Sequence, residues 1–255
     1  MALNIEFGDV FYVMLYALIP AIATVMGSAL IFLHTKVGEK MIDSGMGFAA
    51  GLMIYISFVD LLIPSFDFGS IALPFIGFVI GFAMIKLLDV LVPHIGIIHS
   101  NLNHSSGKKL SKTILIALAI AIHNIPEGIA VGSSTIYNLD SGFRVALSIA
   151  IQDIPEGLAV ALPIYMTTNS YLKSFAIGVV SAVIEYISAF IALIGLIDTY
   201  LTLPLLLALS ASAMIYVVVH EISPEIFGHE HDEYATGGFF LGLVTGILFG
   251  VVYGG

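Results

Sequence analysis

Hydrophobic positions run through this chain in long blocks, and polar residues mainly mark where one block ends and the next begins. Eight apolar stretches stand out, at approximately 9–33, 45–64, 71–92, 111–136, 143–167, 171–197, 201–220 and 235–254. Each is long enough to read as a transmembrane helix, because about 20 helical residues cross a hydrocarbon core of roughly 30 Å. The pattern predicts an all-α polytopic membrane protein with a single membrane domain over residues 1–255. Pro204 is expected to form a turn that opens the seventh span, and the Gly-rich stretch from Gly237 to Gly255 is expected to be the eighth. Gly45, Gly47 and Gly51 in span two, with Gly77 and Gly81 in span three, recur at helical spacing. Small residues so placed predict helices in close backbone contact.

Composition strengthens this reading. The chain is 59% hydrophobic and only 10% charged, with a mean hydropathy of +1.06, whereas soluble domains carry about 25% charged residues. The first span is expected to be retained, since no cleavable basic leader precedes it. A net charge of -10 without a basic cluster argues against nucleic acid as a partner. The absence of cysteine excludes disulfides and thiolate ligands, which leaves His, carboxylate, amide and thioether groups for any metal site. Lys36, Lys40, Lys108, Lys109, Lys112 and Lys173 fall in the connectors after spans one, three and five, with Arg144 the exception after span four. The positive-inside bias then places those connectors in the cytoplasm and both termini outside. Two cytoplasmic connectors are histidine-rich: His94, His99 and His104 in one, and Glu225, His229, Glu230, His231, Asp232 and Glu233 in the other. Such tracts read as solvated loops or weak metal binders.

The chemistry concentrates in two matched hexapeptides. His123-Asn124-Ile125-Pro126-Glu127-Gly128 is followed, 29 residues on, by Gln152-Asp153-Ile154-Pro155-Glu156-Gly157, both inside apolar spans. Residues three and four apart share a helix face, so His123, Asn124 and Glu127 form one polar face, and Gln152, Asp153 and Glu156 another. Span six adds Glu185. An ionisable group at mid-bilayer costs at least ~2.5–3.5 kcal/mol, and neither Lys86 nor Arg144 is obviously placed to pair with these four acids. Unpaired, the acids must protonate or hold cations; as a mere packing device they would be expensive. Pro126 frees the carbonyl of Ile122, and Pro155 that of Ile151, which predicts broken helices lining the site. Imidazole with carboxylates suits Zn²⁺ and other first-row ions, whereas Mg²⁺ and Ca²⁺ prefer all-oxygen sites. Asn124 and Gln152 offer amide oxygens or supporting hydrogen bonds. Met53 offers a thioether, although taken alone it reads as packing. Asp60 and Asp89 read as helix-end or gating groups, and Glu221 and Glu225 frame an inward vestibule with His220.

On these residues the chain resembles the ZIP family of divalent-metal (zinc/iron-regulated) transporters, in its prokaryotic branch. The resemblance rests on the first hexapeptide, on Pro155-Glu156-Gly157-Leu158-Ala159, and on Glu185. It extends to Gly47-Phe48-Ala49-Ala50-Gly51-Leu52-Met53, to Asp89 and Pro93-His94, and to Glu221-Ile222-Ser223-Pro224-Glu225. It implies eight helices in a 3+2+3 arrangement with an inverted repeat. A transport unit (approximately 9–33 and 111–197) would move against a scaffold (approximately 45–92 and 201–254), with a cytoplasmic His-containing loop at 93–110. A homodimer in the prokaryotic plasma membrane is implied as well, contacting membrane lipid and divalent ions. By the same resemblance two ions would be held as substrate, one by His123, Glu127, Gln152 and Glu156 with Met53 nearby, the other by Asn124, Asp153, Glu156 and Glu185. Many relatives have His-Asn where this chain has Gln152-Asp153, which makes the shared site harder and more acidic. Zn²⁺ uptake by alternating access is therefore expected, with Fe²⁺, Mn²⁺, Co²⁺ and Cd²⁺ as further candidates, and no catalytic activity. The alternatives are an intramembrane zinc hydrolase, for which no His-Glu-x-x-His signature is present, and a metal-selective channel.

Overall fold

The computed structural model describes residues 7–33, 38–91, 123–228 and 230–253. Among these residues every regular element is helical. Helix α1 spans Phe7–Ala29 and ends in a 3₁₀ turn, Leu30–Leu33. Helix α2 begins as Glu39–Tyr55, widens into a π-helical segment at Ile56–Leu62, and closes with Ile63–Ser65 and Phe66–Phe68. Helix α3 is Ala72–Leu91, and α4 comprises residues 123–137. Helix α5 is Leu139–Thr168, and α6 is Tyr171–Ser188 with a 3₁₀ extension over Ala189–Leu196. Helix α7 runs Thr199–Val217, through a π segment at Val218–Ile222, to Ser223–Ile226, and α8 is Asp232–Tyr253. Six of these are long and apolar enough to cross a membrane, and Ala72–Leu88 is a shorter apolar helix. The loop at 93–110, the start of span four, Lys36 and His229 lie outside the described residues, as does the side chain of Asp89.

Helix starts follow from capping. The Asn138 side chain accepts hydrogen bonds from the backbone of Asp140 and Ser141, so α5 begins four residues before the apolar run that announces it. Asp198 accepts from the Leu201 amide and opens α7 in the same way. Each cap satisfies amides that the first turn leaves without an intrahelical partner.

Two expectations about proline need correction. Pro204 lies inside α7, not at a turn, because the Asp198 cap sets the start upstream of it. Helix α5 runs unbroken through both Pro155 and Pro163; on α4, Ile122 and the turn that Pro126 bears on lie outside the described residues. A proline removes one i→i−4 bond and crowds one carbonyl, but packing on neighbouring helices holds the flanking turns in register. Irregularity appears elsewhere, one turn ahead of Pro64 and Pro224. Asp60 and His220 each sit four residues before one of these prolines, inside the π segments. A ring that displaces the carbonyl at i−4 accounts for a locally widened helix. Ser223 Oγ donates to the Val218 carbonyl at 2.7 Å, five residues back, and so satisfies one acceptor in the wider coil.

Small residues set the spacing between helices, as predicted. Helix α2 packs on α8, where Gly47 and Gly51 meet the backbone of Ala235 and Phe239, and Gly238 and Gly242 meet that of Ser44 and Phe48. Helix α3 packs on α7, while α1 packs on α5 and α6. In the α1–α5 contact a Cβ built on Gly157 would lie 2.6 Å from the Thr24 carbonyl oxygen, so no side chain fits there. Gly128 and Gly132 of α4 pack the same way on the backbone of Glu185 and Ala189. These contacts draw α1, α4, α5 and α6 together around one polar level.

Large apolar side chains such as Phe75, Val79, Leu241 and Val251 face outward. Serines, threonines and acids are found inside, among them Ser133, Ser148, Ser181 and Ser210. That inversion is what a lipid-solvated surface dictates.

Candidate metal centre

The polar level lies between α1, α4, α5 and α6. Glu127 comes from α4, Asp153 from α5 and Glu185 from α6, and each is 1% exposed. One oxygen from each of these three carboxylates lies within 4.8 Å of the other two. Among the described residues no lysine or arginine is paired with any of them. Burial of three mutually repelling carboxylates in a low-dielectric interior is unfavourable unless positive charge joins them.

Each acid is only half satisfied. Gln152, fully buried beside Asp153, donates from Nε2 to Glu127 Oε1 at 2.7 Å. The opposite oxygen of Glu127, Oε2, has no hydrogen-bond partner, and neither has Gln152 Oε1. Asp153 Oδ2 and Glu185 Oε2 each lie 3.1 Å from Thr24 Oγ1 on α1, while Asp153 Oδ1 and Glu185 Oε1 have no partner. Asn124 accepts a 2.8 Å bond from Ser181 Oγ, and its side chain also bonds Glu185. The unpartnered atoms are therefore all oxygens, contributed by three carboxylates and one amide. A buried carbonyl or carboxylate oxygen without a donor is costly; several together form a cation-coordinating set.

The other sequence-predicted residues stand around this set. Glu156 follows Asp153 by one turn of α5, is half-buried, and lies outside the three-carboxylate group. Met53 is 1% exposed and belongs to the apolar core. His123 Nε2 contacts Glu221 Oε2 on the π segment of α7, so the imidazole reaches from α4 to a different group of helices. An apolar cavity of about 590 Å³ opens beside Pro155, lined by Leu30, Lys40, Phe48 and Tyr234 among others, and none of the site acids borders it.

Four features escape a reading of the chain alone. Thr24 is a single hydroxyl in an apolar span, a feature common enough to carry no signal. Ser181 stands four residues before Glu185, and that helical spacing could have flagged it. Asp60 is not a helix-end group: it is 1% exposed within the π segment of α2, and Arg144 Nε donates to its Oδ1 at 2.9 Å. Arg144 also donates to the Tyr253 carbonyl of α8 at 3.2 Å. Finally, Glu221, which His123 contacts, is 98 residues away.

Apolar outer faces, helices of spanning length and a buried, oxygen-rich acidic centre define a polytopic integral membrane protein with a cation-type site. Comparison with known proteins sharpens this. The model of the family described as ZIP zinc transporter matches residues 98–253. A zinc transporter ZupT of Chlorobaculum parvum is 36% identical over 249 residues, covering 89% of this chain and 92% of that protein. A zinc transporter ZupT of Campylobacter jejuni is 32% identical over 285 residues and covers 96% of both chains. The Chlorobium limicola protein of the same name is 36% identical over 250 residues, with coverage of 89% and 92%. The chain belongs to the ZIP family.

Proposed function

We propose that this protein carries divalent transition-metal ions, Zn²⁺ first among them, across the plasma membrane into the cytoplasm by alternating access. The observation that carries the reading is the buried trio of Glu127, Asp153 and Glu185, with an unpartnered oxygen on each and no basic residue paired to them among the described residues. Charge balance calls for a cation, and the names borne by the relatives indicate which kind. Family membership speaks against the intramembrane hydrolase. Two ions are proposed per protomer, one on His123, Glu127, Gln152 and Glu156 with Met53 nearby, the other on Asn124, Asp153, Glu156 and Glu185. The Gln152–Glu127 bond and the Asp153–Thr24–Glu185 cluster, lying side by side, support this division.

The continuity of α5 past Pro155 bears on mechanism. With the ligands of α5 on an intact helix, exposure to the two sides comes from movement of whole helices. The moving unit is α1 with α4–α6; the scaffold is α2, α3, α7 and α8, homodimeric, with both chain termini outside. The packing of α1 on α5 and α6, and of α2 on α8 and α3 on α7, supports that partition.

Purified protein in sealed liposomes, given competing Zn²⁺, Mn²⁺, Fe²⁺, Co²⁺ and Cd²⁺ while internal pH is followed, should show saturable metal entry. Absence of flux and of metal binding sinks the transport reading, whereas non-saturating flux favours a channel. Glu156→Ala should impair both ions and Glu185→Ala mainly the second. Equal binding stoichiometry in wild type and both variants contradicts a Glu156 bridge.

A further inference from the structure

Thr24 lies outside both hexapeptides, yet its hydroxyl stands at the centre of the polar level. It is 3% exposed. Its Oγ1 lies 3.1 Å from three oxygens at once: the Pro20 carbonyl of its own helix, Asp153 Oδ2 and Glu185 Oε2. A hydroxyl has one hydrogen and two lone pairs, so at most one of these three oxygens receives its proton. In a helix the ready acceptor is the carbonyl four residues back, here Pro20. With the hydrogen directed there, the lone pairs of Oγ1 face the two carboxylates. Oxygen lone pairs opposed at hydrogen-bond distance repel unless something positive lies among them. The second oxygens of the same two carboxylates, Asp153 Oδ1 and Glu185 Oε1, are buried and unpartnered.

We propose that Thr24 Oγ1 is a ligand of the transported ion, the neutral oxygen donor at the Asp153–Glu185 half of the centre. The inference rests on the transport reading above and adds a fourth helix, α1, to the coordination shell. A neutral hydroxyl adds a hard donor without adding charge, so it favours Mn²⁺, Fe²⁺ and Zn²⁺ over the softer Cd²⁺. It also ties ion occupancy to the position of α1. The glycine contact explains how the group arrives there: Gly157 admits the backbone of α1 at Thr24 and Ser28, one turn beyond Asp153. A larger residue at 157 would push the hydroxyl out of reach.

The chain contains no cysteine, which makes the test direct. In detergent-purified Thr24→Cys, any thiolate-to-metal charge-transfer band that develops on titration with Cd²⁺ or Co²⁺ must come from position 24. The inference expects that band, together with a Cd²⁺-over-Mn²⁺ preference at least tenfold higher than in wild type. Thr24→Val, nearly the same shape without the hydroxyl, should lose Mn²⁺ affinity at least tenfold and Cd²⁺ affinity less than threefold, while Thr24→Ser stays within threefold of wild type for both. If Thr24→Cys binds metal without the band, or if Thr24→Val leaves the Mn²⁺/Cd²⁺ ratio unchanged, the hydroxyl is structural and the inference is overturned. Wild-type protein that binds no divalent ion overturns the transport reading itself, a separate outcome.

Discussion

Among the described residues, Asp60 and the trio of Glu127, Asp153 and Glu185 are each only 1% exposed, and the two regions solve the resulting charge problem differently. At Asp60 the answer is a covalent part of the chain: Arg144 crosses from α5 to α2, donates at 2.9 Å, and is itself anchored on the Tyr253 carbonyl. At Glu127, Asp153 and Glu185 no arginine or lysine is paired among the described residues, and each acid keeps one oxygen unpartnered. A counter-ion built into the chain makes the first region a self-sufficient joint between α5 and α2 in the conformation seen here. A missing one leaves the second dependent on something that can come and go, which is what a carrier needs and a scaffold does not. Asp60 also has an unpartnered oxygen, Oδ2, so incomplete hydrogen bonding does not by itself distinguish the two regions; the presence of the guanidinium does.

The contrast can be broken most forcefully at Arg144. Arg144→Ala strands Asp60 and should cost about 3–5 kcal/mol of stability, the penalty for removing one partner of a buried pair. Thermal unfolding in detergent would show it as a lower midpoint, with Zn²⁺ affinity of the surviving folded protein within a few-fold of wild type. The double replacement Asp60→Leu with Arg144→Met should recover most of that loss. A single variant as stable as wild type would mean that the pair is not a joint at all.

Asp153→Ala probes the opposite region and should have the opposite profile. Removal of a carboxylate that faces both Thr24 and Glu185 should weaken metal binding about 100-fold, equivalent to about 2.7 kcal/mol. The metal-free protein should keep or gain stability, since a like charge has been deleted. Isothermal titration and metal-free melting curves measure the two halves of this prediction. Loss of metal-free stability comparable to that of Arg144→Ala would erase the distinction between the regions.

A smaller effect is expected where the two groups of helices touch at His123 and Glu221. Glu221→Gln keeps the shape and removes the charge from a partly exposed pair. It should lower the rate of uptake while changing Zn²⁺ affinity by no more than about tenfold, the scale of 1.4 kcal/mol; flux in liposomes and metal titration read the two. Ser181→Ala should be mildest. It deletes one donor to Asn124 and is expected to cost about 0.5–1.5 kcal/mol in metal binding or stability, a few-fold in affinity by titration.

Much of the architecture is legible in composition and period alone. Hydropathy blocks announce the spans because lipid admits only helices with apolar surfaces. The acids of the two hexapeptides announce a centre because their burial is unaffordable without a partner. The glycines of span two predict a close helix contact, and α8 supplies it. Local rules fail at the prolines. Pro155 looks like a break, yet α5 passes through it, while the distortions appear one turn ahead of Pro64 and Pro224. Whether a proline breaks, kinks or widens a helix depends on what packs against the freed carbonyl, and the proline's own neighbours in sequence do not say.

Sequence by itself therefore determined that the chain is an all-helical membrane protein, that its apolar faces turn outward, and that Glu127, Asp153, Glu156 and Glu185 need positive charge. Only the tertiary structure decided which acid has a permanent partner and which lacks one. Arg144 and Asp60 are 84 residues apart, Thr24 and Asp153 129, and Thr24 and Glu185 161. Helical periodicity carries information over three or four residues. Meetings across such separations depend on how closely and at what level two helix backbones approach, and here glycines such as Gly157 and Gly128 set that approach by admitting a neighbouring backbone where any side chain would exclude it.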